Sequence, residues 1–327
     1  MNHSGLKAAF KLSHAPISNY EFAILKKEDA TRNILKGSML YVIAQRHALT
    51  FENVVADPDT SVIRFEIVQD KTNNKISCML PVSQEILIDD SSDGVEIQFG
   101  SHNAEAVLEE MPLFEINGMK FYDNDKNFLS YLTPDKFIYL YSNKLLEATM
   151  EGDYRSLVEF RVHYVGKATD QEIWDRLDGH ETLQEILSIE RPMGAMIPTH
   201  EITLLMFRVS DSLQMNIFDP GENPGLLAKK MIDSEHPTTQ VISLDAEKAL
   251  VNLLNPAYNT VKFKQFPKSK DGLHKFNFNR YAYQILEDIT LKSELGTIFC
   301  SVNENISDIM AVDRKNGLEI ISLRNDE

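Results

Sequence analysis

An α+β fold is what this 327-residue sequence predicts. Two observations carry the prediction. Residues 1–130 break into short apolar runs, alternating or continuous, with polar turn clusters between them, the pattern of a β-rich unit. Beyond them the pattern changes to strand, strand, helix, strand, helix, with strands continuing to the end. That order suits an α+β unit with an antiparallel start. The polar, proline-containing stretch Asp123–Pro134 reads as the boundary. It divides the chain into a β-rich unit, 1–130, and a mixed unit, 131–327, each of ordinary domain size.

In the first unit, "SVIRFEIV" (61–68), "KISCMLPV" (75–82), "GVEIQFG" (94–100) and "LFEINGMKFYD" (113–123) read as strands. "KTNNK" and "DDSSDG" are turn signals. "ATRNILKGSMLYVIAQR" (30–46) leaves helix and strand both open. In the second unit, "FIYLYS" (137–142) and "SLVEFRVHYVGK" (156–167) read as strands. Thr169 followed by Glu172 has the form of a capping box, so a helix is expected from there. Ile173, Leu177, Ile186 and Leu187 give it an apolar side, and Gly179 is a place to break it. "EITLLMFRVS" (201–210) is a third strand, followed by the Pro/Gly-rich loop "FDPGENPG" (218–225). "LDAEKALVNLLN" (244–255) puts Leu250, Val251 and Leu254 on one helical face, and Pro256 ends it. "YQILEDITL", "GTIFCSV" and "LEIISL" are closing strands.

The totals narrow the function. Hydrophobic residues are 43% and charged residues 25%, a soluble globular balance. No apolar run nears the roughly 18 residues that span a bilayer, and the N-terminus lacks the apolar core of a secretory signal. Cys78 and Cys300 are too few for a disulfide framework or a cysteine zinc site. A cytoplasmic protein without a membrane partner is the expectation. The formal charge of −16 argues on average against nucleic acid. The stretch Asn255–Arg280 departs from that average. Lys262, Lys264, Lys268, Lys270, Lys275 and Arg280 stand against Asp271 alone, interleaved with Phe263, Phe266, Phe276 and Phe278. Cations alternating with aromatics suit a nucleic-acid backbone; they also suit a strand with lysines outward.

Candidate chemistry gathers in "HYVGKATDQEIWDRLDGH" (163–180) and in the helix after it. Tyr164 and Gly166 share one face of a strand, and Lys167 ends it. Arg176 and His180 are four apart, on one helical side. Glu247 opens the later helix, and Asn259 follows Pro256. Phosphodiester hydrolysis needs a cation held by a carboxylate, a fixed positive group for the transition state and a proton acceptor. These residue types supply each part.

Tyr164-Val165-Gly166-Lys167-Ala168, then Arg176 and His180, then "AEKALVNLLNPAYN" ending at Asn259, resemble the GIY-YIG nuclease superfamily over roughly 137–265. The resemblance implies a small mixed sheet flanked by helices, with extra C-terminal strands here. It implies metal-dependent DNA cutting, of the kind found in restriction and phage defence. Tyr164 matches the tyrosine of the second half-motif and Arg176 the arginine of the transition state. His180 matches a histidine that orients or deprotonates a tyrosine, and Lys167 a lysine that lowers a tyrosine pKa. Glu247 matches the carboxylate ligand of Mg²⁺ or Mn²⁺, and Asn259 the asparagine that closes the site. The first half-motif needs a tyrosine on a strand. Tyr139 in "FIYLYS" fills it through an enlarged hairpin, with Tyr154 in "GDYRS" as the other choice. Tyr139 or Tyr164 then accepts the proton. The alternative is a degenerate fold of the same type that binds nucleic acid or protein without cutting. The first unit is then the surface for a protein partner or a second copy.

Overall fold

The sequence "LYVIAQ", strand β3 (Leu40–Gln45), is buried at every position, as a strand covered on both faces must be. It sits in the middle of the larger of two sheets. The structure, a computed structural model, describes residues 3–87, 94–108, 110–217, 223, 225, 235–269, 271–276 and 278–324.

The larger sheet has ten strands. In spatial order they are β15 (Thr297–Phe299), β14 (Thr290–Lys292), β11 (Glu159–Lys167), β3, β12 (Ile202–Ile217), β1 (His3–Leu12), β13 (Arg280–Ile285), β16 (Ile309–Asp313) and β17 (Gly317–Ile321), with β2 (Ile17–Ser18) beside β12. β1 with β13 and β11 with β14 pair in parallel; the other pairs are antiparallel. The smaller sheet has seven strands. It runs β10 (Thr149–Glu151), β6 (Lys75–Pro81), β5 (Val62–Gln69), β4 (Leu49–Asp57), β8 (Ile116–Tyr122) and β7 (Glu96–Ser101), with β9 (Phe128–Leu132) on β8.

This pairing corrects the expected division at residue 130. β1, β2 and β3 belong to the same sheet as the C-terminal strands, and β10 closes the smaller sheet from beyond the boundary. The stretch Asp123–Pro134 contains β9 rather than a linker. In chain order, the smaller sheet stands between β3 and β11. Arg46, at the crossing from β3 to β4, ties the two together: it pairs bidentately with Asp135 at 2.8 and 2.9 Å and donates to the Leu157 carbonyl at 2.7 Å.

Helices cover both faces of β11, β3 and β12. On one side lie α1 (Asn19–Leu25), α2 (Asp29–Leu35), α4 (Ile173–Asp178) and α5 (Glu181–Ile189). They bury Phe22, Leu35, Trp174, Leu177 and Ile186 against Tyr41 and Ile43, with Phe22 and Trp174 stacked at 5.2 Å. On the other side α7 (Thr239–Leu254) buries Ala246, Ala249 and Leu250 in the main core. The short helix α6 (Pro198–Glu201) leads into β12. Among the described residues no helix is long and apolar enough to cross a membrane.

Three element readings need correction. "FIYLYS" is helical: α3 (Pro134–Ser142) starts with Thr133 accepting from the Lys136 N–H and with Pro134 in its first turn. That cap outweighs the alternating appearance of the side chains. The helix after β11 starts at Ile173, with Glu172 in the cap position and no side-chain cap; Thr169 lies outside it. α7 starts at Thr239, capped by Thr238, so Glu247 is mid-helix and not a first-turn dipole residue. The loops "DDSSDG" and "FDPGENPG" lie outside the described residues except for Gly94, Asn223 and Gly225.

Candidate active site

β3 and β11 run antiparallel, with Tyr41 opposite Gly166 and Leu40 opposite Lys167. Their register shifts between Val162 and Tyr164, leaving His163 as the extra residue of a bulge. Val162 lies opposite Ala44; without the bulge Tyr164 would share that face. With it, Tyr164 lies opposite Ile43, on the same face as Tyr41. Gly166 makes room between them. A Cβ there would lie 2.4 Å from the Cζ and hydroxyl of Tyr41 and 2.6 Å from Cε1 of Tyr164. Gly166→Ala should therefore displace both rings. The expected cost is about 1–3 kcal/mol of stability, read by denaturant unfolding, with a changed near-ultraviolet tyrosine signal and retained secondary structure.

Tyr41 is fully buried, and its hydroxyl lies 2.7 Å from Nε2 of His180. Gly179 ends α4, so His180 does not share Arg176's helix but caps the next one. Its Nδ1 accepts the backbone N–H of Leu183 at 3.2 Å. A nitrogen that accepts carries no hydrogen, so in the neutral ring the hydrogen is on Nε2. The ring is neutral: burial first, then the Arg176 charge, hold its pKa down to about 4. His180 thus donates to the Tyr41 oxygen, which leaves the Tyr41 proton to point elsewhere. Burial and then Tyr164 push the Tyr41 pKa up, against Arg176. Tyr41 stays a protonated donor.

Arg176, Lys167 and Glu247 are each half-buried. Burial opposes the Arg176 charge, but the Tyr41 and Tyr164 phenols favour it and the net shift is upward. Burial pushes the Glu247 carboxyl up to about 7, while Lys167, Lys248 and Arg176 pull it down. Among the described residues none of the three forms a salt bridge, and the Glu247 carboxyl has no hydrogen-bond donor. Arg176 has the Tyr41 and Tyr164 hydroxyls as partners; for Lys167 and Glu247, half-buried charge without a partner is costly. Among the described residues no three His, Cys, Asp or Glu side chains gather around a common point, so a divalent ion here would rest on Glu247 alone and take the rest of its shell from water and phosphate oxygen.

No family model, curated protein or solved structure matches this chain.

The remaining candidates fall in different places. Asn259 is buried and braces β11 through its backbone: Oδ1 accepts the Val165 N–H at 2.9 Å and Nδ2 donates to the Val165 carbonyl at 2.8 Å. The Tyr258 N–H donates to the His163 carbonyl at 3.1 Å. β14 pairs with β11 only from Glu159 to Arg161, so the Pro-Ala-Tyr-Asn segment stands where a neighbouring strand would. Asn259→Ala should strand two buried backbone groups and cost about 2–4 kcal/mol, checked by urea unfolding.

Tyr139 does not fill the first half-motif. It lies on α3, its hydroxyl raised to about 12 by burial and by Glu287, away from the tyrosine pair. Tyr154 is bound to Asp288 at 2.5 Å. The strand tyrosine opposite Gly166 is Tyr41, which the sequence reading missed. Residues 46–158 separate "LYVI" from β11, so no local signal joins the two strands.

The basic stretch is not a strand with lysines outward. It has no strand before Arg280 among the described residues. Lys264 and Lys268 are exposed, and Lys262 donates to the Pro256 carbonyl. Lys275, in a 3-10 turn (Leu273–Phe276), lies 5.2 Å from the Phe276 ring. Arg280 is on β13, engaged with Asp313 at 2.8 Å, and Lys270 lies outside the described residues.

Proposed function

We propose that this chain is a metal-dependent endonuclease that hydrolyses phosphodiester bonds in DNA by GIY-YIG-type chemistry. The supporting observation is the group of three half-buried charges, Lys167, Arg176 and Glu247, without salt bridges among the described residues and beside the Tyr41–Tyr164 pair. Mg²⁺ or Mn²⁺ on Glu247 would polarise the phosphate and stabilise charge on the leaving oxygen. Arg176 presents its planar fork to the phosphate and stabilises the negative charge that grows on it. Lys167 adds a second positive charge at the strand end. Tyr164, half-buried where Tyr41 is closed off, gives up its own proton to solvent before the step and, as phenolate, takes one proton from the attacking water. Tyr41 donates toward Tyr164, and His180 fixes Tyr41 from behind through Nε2–H. The P–O bond to the leaving sugar oxygen breaks as the water oxygen bonds to phosphorus.

The test is cutting of single- and double-stranded DNA by the full chain with Mg²⁺ or Mn²⁺. Arg176→Ala should slow it about 10²- to 10³-fold. Equal rates for the two proteins, or no cutting by the wild type, would overturn the proposal. The full burial of Tyr41 favours a second reading, a degenerate site that binds without cutting. A wild type that binds DNA but cuts none, and shows no Glu247-dependent metal binding, would support it.

A further inference from the structure

Against α7, where Lys248 forms part of one wall, a pocket of about 420 Å³ is lined by Lys262, Phe263, Lys264, Gln265, Phe266 and Lys268. We infer that it receives one nucleotide whose base has left its stack, so that the preferred substrate is single-stranded DNA or a duplex with an unpaired base. This rests on the nuclease reading for its placement, though not for its chemistry.

The lining combines four lysines, Lys248, Lys262, Lys264 and Lys268, with two aromatic rings, Phe263 and Phe266. Phe263 and Phe266 pack partly against the main core, which holds them as fixed platforms. Base stacking on such rings is indifferent to sequence, because every base has a π-face. Phe263 is kept at φ +46°, a left-handed conformation unusual for an aromatic residue. The Asn252 side chain donates to its carbonyl at 3.2 Å. Lys264 and Lys268 are exposed and form no ion pair among the described residues. On a chain of net charge −16, that local surplus gives phosphate a defined place to bind.

Size and position agree. The volume falls in the range of pockets that enclose small ligands, room for one nucleotide and too little for a base pair within a duplex. One wall includes Lys248, next to Glu247 in α7. Lys248 is held by Ser269 at 2.6 Å and by Asp271, and the Asp271 charge reaches Glu247 and raises its pKa. Glu247 is one residue along α7 from the pocket wall.

The test uses full-length protein carrying Glu247→Gln, so that DNA stays uncut. A 15-nucleotide single strand with one 2-aminopurine is compared with its perfect duplex by anisotropy and by emission. The single strand should bind at least tenfold more tightly, with its emission quenched by stacking. The double change Lys264→Glu with Lys268→Glu, on exposed positions, should weaken binding at least tenfold. Phe266→Leu, which keeps the apolar packing, should abolish the quenching. Equal affinity for the duplex, or no effect of the charge reversals, overturns the inference. The two readings separate cleanly. If the wild type cuts nothing while single-strand binding depends on Lys264 and Lys268, hydrolysis fails and the pocket stands. If Arg176-dependent cutting of single strands is indifferent to the charge reversals, the pocket fails and hydrolysis stands.

Discussion

Tyr164→Phe should lower the rate of DNA cutting about 10²- to 10⁴-fold, the range for loss of a positioned proton acceptor. Its fold should survive at a cost of about 1–3 kcal/mol, because the ring stays in place while the buried Tyr41 hydroxyl loses its acceptor. Tyr41→Phe acts differently. It removes a hydroxyl that is buried and bonded to His180 at 2.7 Å, so it leaves Nε2–H of His180 without an acceptor. That should cost about 1–3 kcal/mol of stability and about tenfold in rate through misplacement of Tyr164. Tyr139→Phe should change neither, since that residue lies on α3 and answers to Glu287 rather than to the cluster. Single-turnover cleavage with the three variants ranks the roles. A Tyr164→Phe protein that cuts at the wild-type rate removes it as the acceptor.

Glu247→Gln should abolish metal-dependent cutting and, at alkaline pH, stabilise the fold. The carboxyl is pushed up to about 7 by burial, so the folded state binds its proton more tightly than the unfolded chain does. The stability this lends is complete below the unfolded carboxylate range near 4.5 and is lost as pH rises through 7. At pH 8 the wild type carries a half-buried anion, and the neutral glutamine should be more stable by on the order of 2 kcal/mol. At pH 4 the two proteins should unfold alike. Metal binding runs the other way, because the ion takes the ionised form. Cutting at subsaturating metal should therefore rise with pH through about 7, and His180, held near 4, should add no inflection above pH 5. Thermal unfolding across pH and a pH–rate profile check both halves.

How far the sequence reveals this molecule depends on whether a signal is local. "KISCMLPV" reads directly as a strand because β6 buries Ile76, Cys78 and Leu80 on one side. The break at Gly179 is local too. "FIYLYS" misleads because Phe137, Tyr139 and Tyr141 stand at every second position, while the deciding information, the Thr133 cap and Pro134, lies just before it. Pairing is not local. The apolar run "LYVIAQ" fits a buried helix or a buried strand, and nothing in it says that β3 pairs with a strand beginning at Glu159. Tyr41 and the division at residue 130 are missed for that one reason. Tyr164, Arg176 and His180 meet around Tyr41 because the intervals between them are short, while Glu247, on α7, comes within reach of the Arg176 charge through packing that no local signal shows. The role of Asn259 as a backbone brace is visible only once the free edge of β11 is known.

The central proposal for this molecule is Glu247 as the sole carboxylate of a hydrated cation. Electron paramagnetic resonance of Mn²⁺ tests it directly, with the full chain at pH 8 bound to a cut-resistant phosphorothioate oligonucleotide. The wild type and Tyr164→Phe should each hold one protein-bound ion that Glu247→Gln lacks. Equal Mn²⁺ binding by Glu247→Gln, or none by the wild type, would contradict the account.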